Sequence, residues 1–137
     1  MISGHWITVL MTVLLIVSCT TNQQNKVDLK TLKSEVLAVH DEVMPKMGEL
    51  RKVEKMLRGQ LEQSREDTSL NTSIAKAADA IEAANESMMN WMRNYDPDFD
   101  GKDAEVEAYL RGQMQSIQRV REDMSASLEA GRKLLSE

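Results

Sequence analysis

The chain has 137 residues and a formal net charge of −5 at pH 7, and its length suits one small domain. Nucleic-acid binding requires Lys and Arg clustered on one face, so this acidic balance argues against a nucleic-acid partner. The same balance argues against electrostatic attachment to anionic lipid, so a membrane-bound form would need another kind of anchor.

The N-terminal residues form an apolar run from Trp6 to Val17, interrupted only by Thr8 and Thr12. The run ends in Leu-Leu-Ile-Val-Ser-Cys at residues 14–19. This ending resembles a bacterial lipobox, which implies that Cys19 is lipidated and becomes the mature N-terminus. The alternatives are an ordinary signal peptide with a buried cysteine, or a single membrane span, for which the run is short.

The lipobox resemblance predicts three parts of the chain. Residues 1–18 are a lipoprotein signal peptide, residues 19–27 are the lipidated cysteine and a polar tether, and residues 28–137 are the folded domain. A diacyl plus N-acyl cysteine provides more than the single chain that gives only marginal membrane binding. Thr20 is not the aspartate that retains enteric lipoproteins in the inner membrane. We therefore expect a cell-envelope protein, lipid-anchored in the outer membrane and facing the periplasm.

Residues 28–63 are predicted to form one bent helix, with Asp28 as its N-cap. Pro45 has no N–H and clashes with the carbonyl four residues earlier, so we expect a kink there. Pairs at i,i+4 spacing favour a continuous helix, namely Glu42 with Lys46 and Glu54 with Arg58. The apolar positions recur at steps of three and four: Leu29, Leu32, Val36, Val39 and Val43, then Met47, Leu50, Val53, Leu57 and Leu61.

Two further helices follow. The second, capped by Asn71 or Thr72 and ending at Asp96-Pro97, has an unbroken apolar period: Ile74, Ala77, Ile81, Ala84, Met88, Trp91 and Tyr95. The third is predicted from about Asp103 to about Leu135, and no alternating run is long enough for a strand. The sequence thus predicts an all-α fold, a three-helix up-down-up antiparallel bundle with coiled-coil-like packing.

Two segments of these helices are unusual: His-Asp-Glu-Val-Met-Pro-Lys-Met at residues 40–47 and Met-Met-Asn-Trp-Met at residues 88–92. With the lipobox they resemble a family of small bacterial lipoproteins often labelled "viral A-type inclusion protein", a label that reflects coiled-coil composition. The resemblance covers most of the chain from Leu32 to Leu135. It implies a helical lipoprotein, and it implies no activity and no site.

The connection between the second and third helices fits the calcium-loop pattern D-x-D-x-D-G followed after five residues by Glu. Carboxylates at alternate positions of a tight loop bring oxygens onto a hard cation, and the glycine permits the sharp turn. The candidate Ca²⁺ ligands are Asp96, Asp98, Asp100 and Glu107. The alternative is an acidic turn whose Asp103 caps the third helix, since calcium loops carry an aliphatic residue at that position.

Methionine suggests a second candidate ion. Without residues 1–18 the chain has eight Met but only one His and one Trp. Thioethers prefer soft ions, so Cu(I) or Ag(I) could bind. The alternative is that methionine fills irregular core space and contacts aromatic rings. The candidate ligands are His40, Met44, Met47, Met88, Trp91 and Met92.

The helical register predicts that the two unusual segments meet. If the first turn is centred between Asp67 and Thr68, the antiparallel helices pair Met47 with Met88, Met44 with Trp91 and His40 with Tyr95. The second connection brings Tyr109 to about the same level. We expect a cap of methionines and aromatic rings on the core beside the acidic loop, with His40 near its edge.

Catalysis has little support in the sequence. His40 is the single candidate base after residue 18, and adjacent helical residues point about 100° apart, so Asp41 is not expected to orient it. We therefore expect a non-enzymatic, lipid-anchored binding or scaffolding protein without a resident cofactor, and metal binding is the alternative class. Its partners would be the membrane, through the lipid, and a protein, through exposed methionines on the helical surface.

Overall fold

The computed structural model describes residues 28–64 and 69–136. Over these residues the protein is helical without a strand, and the predicted three-helix antiparallel bundle is confirmed. The bent first helix consists of α1 (Leu29–Val43) and α2 (Lys46–Gln63). The second and third helices are α3 (Ser69–Asn94) and α4 (Asp103–Ser136).

The predicted signal peptide, Cys19 and the tether lie outside the described residues. Removal of residues 1–18 and lipidation of Cys19 therefore stay predictions. Within residues 28–64 and 69–136, no helix is both long enough and apolar enough to cross a membrane.

The first helix bends at Pro45, as predicted. Met44 (φ −52°, ψ −42°) and Pro45 (φ −61°, ψ −28°) keep right-handed helical angles, so the two segments join without a reversal. Pro45 cannot donate a hydrogen bond to the carbonyl four residues earlier, which interrupts the helical ladder. The N–H of Met47 bonds instead to the carbonyl of Met44, at 3.2 Å.

The bend distributes the helix contacts unequally. The backbone of α2 lies close to both α3 and α4, whereas α1 packs along α4 and makes few close backbone approaches to α3. Large side chains therefore fill the space between α1 and the C-terminal part of α3, and this space holds the candidate site.

Ion pairs follow the helix packing more than the sequence spacing. Glu54 and Arg58 form the predicted i,i+4 pair, at 2.8 Å. The Glu42 carboxylate lies 3.5 Å from the guanidinium of Arg121 on α4. The Lys46 ammonium donates to the hydroxyl of Ser125, also on α4. The predicted Glu42–Lys46 pair is replaced because α4 packs alongside and offers both side chains a partner.

The starts of α3 and α4 differ in part from the prediction. Because α3 already begins at Ser69, Asn71 and Thr72 lie within its first turn and do not precede it. The start of α4 is at Asp103, as predicted. The carboxylate of Glu105 accepts the N–H of Lys102 at 2.9 Å, as the third helical residue does in a capping box.

Most of the apolar positions predicted from the helical period form the core, whereas Leu29, at the start of α1, is only half-buried. All three helices approach closely at Gly131 of α4, where a Cβ atom would lie 2.7 Å from Val53 Cγ1 and 2.8 Å from Ile81 Cδ1. The glycine therefore permits this close packing. The largest fully buried side chains are Leu50, Leu57, Ile81, Met88, Ile117, Met124, Val36 and Val43.

Candidate functional site

Five ring side chains form a continuous stack at one end of the bundle, which we call the aromatic column: His40, Trp91, Tyr95, Tyr109 and Phe99. The ring centroids are 5.5 Å apart for His40 and Trp91 and 4.8 Å apart for Trp91 and Tyr95. The separation is 6.3 Å between the two tyrosines and 4.2 Å between Tyr109 and Phe99. The column thus connects α1, α3, α4 and the loop between α3 and α4.

The sequence predicted four of these rings, and their convergence is confirmed. Tyr95 directly follows the last residue of α3, and its N–H bonds to the carbonyl of Trp91 at 2.9 Å, which keeps the two rings on one face. His40 and Tyr109 reach them from α1 and α4. Phe99 was not predicted to join. Its position in an irregular loop has no periodicity, and the only hint in the sequence was an aromatic residue among acidic ones.

Hydrogen bonding differs between the polar groups of the column. The Tyr109 hydroxyl accepts the backbone N–H of Asp96 at 2.7 Å and donates to its carbonyl at 3.2 Å. The Trp91 Nε1 and the Tyr95 hydroxyl are buried and have no hydrogen-bond partner among the described residues. Burial raises the pKa of Tyr95, and Tyr109 and Asp96 raise it further. Since most buried polar groups are paired, these two invite a functional explanation.

His40 contacts Asp41, contrary to the expectation from helical geometry. The His40 Nδ1 lies 2.9 Å from the Asp41 Oδ1. Nδ1 is attached to the ring carbon next to Cβ and so lies near the backbone, where the short Asp41 side chain can reach it despite its different direction. The histidine side chain is 21% exposed and the aspartate 77%. Asp41 therefore helps to orient the imidazole, and the imidazole ring itself stacks on Trp91.

The methionines among the candidate soft-ion ligands differ in depth. Met47 and Met88 are buried in the core, and Met44 and Met92 are partly buried against it. His40 and Trp91 are in direct ring contact. The ring contacts are thus confirmed, whereas contact of the methionines with the rings and binding of Cu(I) or Ag(I) stay predictions.

The candidate calcium ligands are mostly engaged in local bonds. Asp96 Oδ1 accepts the N–H of Asp98 at 2.9 Å, and Asp100 Oδ1 accepts the N–H of the next residue at 2.8 Å. Glu107 pairs with Arg111 at 2.8 Å. Among the described residues, no three His, Cys, Asp or Glu side chains form a group that could hold a metal ion. Calcium binding stays a prediction that this loop geometry does not support.

An open groove of about 730 Å³ lies between α2 and α3. Much of its charge is paired, since Arg58 bonds to Glu54 and Glu82, each at 2.8 Å. Met89 lines the groove and is 39% exposed. The Oδ1 of Asn85, another lining residue, is buried and has no partner among the described residues. The sequence predicted a protein-binding surface with exposed methionine, and this groove is its candidate.

Comparisons with protein-family models, with curated proteins and with solved structures found no match to this chain. Membership of a helical lipoprotein family therefore stays a prediction from the lipobox and from the two segments at residues 40–47 and 88–92.

Proposed function

We propose that the protein is lipid-anchored in the bacterial cell envelope, in the outer membrane facing the periplasm, and that its bundle is a binding or scaffolding module without catalysis. The sequence Ile16-Val17-Ser18-Cys19, at the end of the apolar run, supports the anchor. Acyl chains at both the thiol and the amine of the cysteine would give stable attachment.

The aromatic column lies toward the end of the bundle at which the described chain begins, and this position supports the proposal. α1 begins at the end of the bundle that holds the α3–α4 loop, where the Lys33 ammonium donates to the carbonyl of Pro97. Leu29 and Phe99 line one shallow pocket there. Even fully extended, the chain from residue 19 to residue 28 reaches only about 30 Å. A lipid on Cys19 would therefore hold the column toward the membrane, with the bundle projecting away from it.

This orientation leaves the sides of the bundle open to a partner. The α2–α3 groove lies along one side, and Met89 gives it an adaptable apolar contact of the kind that suits a partner helix. In this proposal the lipid holds the end of the bundle where α1 begins at the membrane, and a partner protein binds along the side of the bundle.

Soft-metal binding is the second candidate function, and the contact between His40 and Trp91 favours it. Asp41 occupies Nδ1 of the histidine, which leaves Nε2 as the ligand atom, in the way that outer carboxylates orient metal-binding histidines. Met44, whose N–H bonds to the carbonyl of His40 at 3.0 Å, packs against the core. Competition with a Cu(I) chelator would compare the wild type with Met44→Leu, and Met56→Leu is the control on the exposed surface. Equal, weak Cu(I) retention by all three proteins would reject this candidate.

Replacement of the lipidated residue tests the anchor. Wild-type protein should fractionate with membranes, and Cys19→Ala should lose lipidation and be released or mislocalised, because the bundle has no spanning helix among its described residues. Thr21→Ala, which changes the tether and leaves the cysteine, should behave like the wild type. Equal membrane attachment of Cys19→Ala and the wild type would contradict the proposal.

A further inference from the structure

The outward face of α2 carries positive charges that the fold does not pair. Three exposed side chains of this face form no ion pair with the described residues: Arg51, Lys52 and Lys55. The acidic side chains between residues 48 and 59 already have partners, since Glu49 pairs with Arg132 and Glu54 with Arg58. Like charges three and four residues apart weaken a helix. This acidic protein thus presents a positive patch on one helix.

Two glycines lie on the same face of α2. Gly48 and Gly59 are 11 residues apart, about three helical turns, so they lie nearly in line along the helix axis. A Cβ atom on either glycine would meet no atom of a neighbouring side chain or helix within 4 Å, and no described glycine has a positive φ. Glycine weakens a helix interior relative to alanine. The fold itself therefore gives no reason for glycine at either position, and both leave the backbone of α2 bare.

We call this surface the cationic face of α2, and it consists of six residues: Gly48, Arg51, Lys52, Lys55, Met56 and Gly59. Met56 is 42% exposed at one border, and its flexible thioether can adapt to the shape of a partner. Arg51, at the other border, also lines the α2–α3 groove. The cationic face thus adjoins that groove, and its central lysines lie outside it.

We propose that the cationic face docks an acidic helix of a partner protein. Lys52 and Lys55 would pair with carboxylates of that helix, because complementary charges attract and orient partners. Glycine permits another backbone to approach closely, and the two glycines enclose about 16 Å of α2 at 1.5 Å per residue, which matches about three turns of a helix docked alongside. This inference rests on the proposed binding function, and it names the chemistry of the partner.

An anionic lipid surface suits this face less well than a protein does. In the proposed orientation the bundle projects from the membrane, with the start of α1 nearest to it. Lys52 follows Leu29 by 23 residues, which is roughly 35 Å along the bent helix at 1.5 Å per residue. Exposed charges are largely screened beyond about 8 Å at physiological ionic strength. Lipid headgroups would therefore not attract Lys52, whereas a protein beside the bundle would reach it.

A designed peptide serves as the probe for this docking. It is an alanine-rich helix of about five turns, with glutamates at steps of three and four residues so that they share one face. The control peptide has the same composition, with its glutamates spread around the helix. Each carries an uncharged fluorophore and is titrated with the full chain in a nonionic detergent. Fluorescence anisotropy should show saturable binding at low salt, at least about fivefold tighter for the striped peptide and weakened by added salt.

Charge reversal on the cationic face should weaken this binding. Lys52→Glu with Lys55→Glu should raise the Kd of the striped peptide at least about tenfold. Lys76→Glu with Arg119→Glu changes the net charge by the same amount at exposed positions of α3 and α4. This second protein is the matched control, with an unchanged Kd expected.

The glycines give a test in which stability and binding change in opposite directions. Gly48→Ala with Gly59→Ala should raise Tm, because alanine favours the helix, and should also raise the Kd about threefold or more, because two methyl groups hold the partner backbone away. Gly112→Ala, in open space on α4, should raise Tm and leave the Kd unchanged.

Equal Kd values for the striped and the control peptide would overturn the inference, as would an equal rise of the Kd in the two charge-reversed proteins. An unchanged Kd after Gly48→Ala with Gly59→Ala would also overturn it. The outcome is separable from that of the anchor. A lipidated Cys19 with no peptide binding would leave the proposed lipoprotein standing and remove this partner. Peptide binding by a protein whose Cys19 is unmodified would do the reverse.

Discussion

The two tyrosines of the aromatic column should respond in opposite ways to loss of the hydroxyl. Tyr95→Phe and Tyr109→Phe each remove one oxygen atom and keep the ring and its stacking. The Tyr109 hydroxyl makes two hydrogen bonds to the backbone of Asp96. The Tyr95 hydroxyl is buried without a partner among the described residues. The substitutions are therefore a matched pair that differs in hydrogen bonding.

The expected effects follow from these bonds. Because a net hydrogen bond contributes about 1 kcal/mol and Asp96 is exposed enough for water to replace part of the loss, Tyr109→Phe should destabilise by about 1 kcal/mol. Tyr95→Phe removes an unpaired buried hydroxyl and should stabilise by about 0.5–1 kcal/mol. Since 1 kcal/mol shifts Tm by roughly 4–8 °C in a domain of this size, the two variants should melt at clearly different temperatures, on opposite sides of the wild type.

Thermal and urea unfolding, followed by circular dichroism at pH 7 on the chain from residue 20 onward, would measure both variants against the wild type. Equal destabilisation by the two substitutions would refute the reasoning. It would mean that the Tyr95 hydroxyl has a partner as good as that of Tyr109, and the column would then be ordinary core.

Three further results are expected. Because burial raises the pKa of Tyr95, the folded state holds the proton of this hydroxyl more tightly than the unfolded state does. The protonated hydroxyl therefore contributes its full stabilisation of the fold below about pH 10, the ordinary tyrosine pKa, and this stabilisation is lost as pH rises through the pKa of the folded state. Tyr95→Phe should therefore reduce the loss of Tm between pH 8 and pH 11. Gly112 lies in open space on α4, so Gly112→Ala should stabilise the protein by about 1 kcal/mol. Gly131→Ala should be about 1–3 kcal/mol less stable than Gly112→Ala, because the added methyl group overpacks the core. Equal denaturant midpoints of the two variants would contradict this. Calcium should raise Tm no more than sodium salt of equal ionic strength, since the loop at residues 96–107 forms no ligand group; saturable calorimetric heats would show otherwise.

Periodicity explains what the sequence could predict. Apolar residues at three- and four-residue steps identify the buried face of each helix, and antiparallel pairing then sets the levels at which residues meet. These two rules predict that His40, Trp91, Tyr95 and Tyr109 meet at one end of the bundle, and the ring contacts confirm it. Pro45 located the bend because its missing N–H acts at a defined position of the helix.

What the sequence did not predict depends on side-chain direction and on irregular backbone. The stacking of Phe99 on Tyr109 requires the path of a loop, which has no period. The contact between His40 and Asp41 depends on rotamers, which can offset the angle between neighbouring helical positions.

Lipid anchoring is tested most directly by the mass of the N-terminal peptide of the mature protein, isolated from the membranes in which it is made. The proposal predicts a chain that begins at Cys19 and carries acyl chains on both the thiol and the amine. A mature wild-type protein with an unmodified Cys19 would contradict it, and the aromatic column would then have no reason to face a membrane.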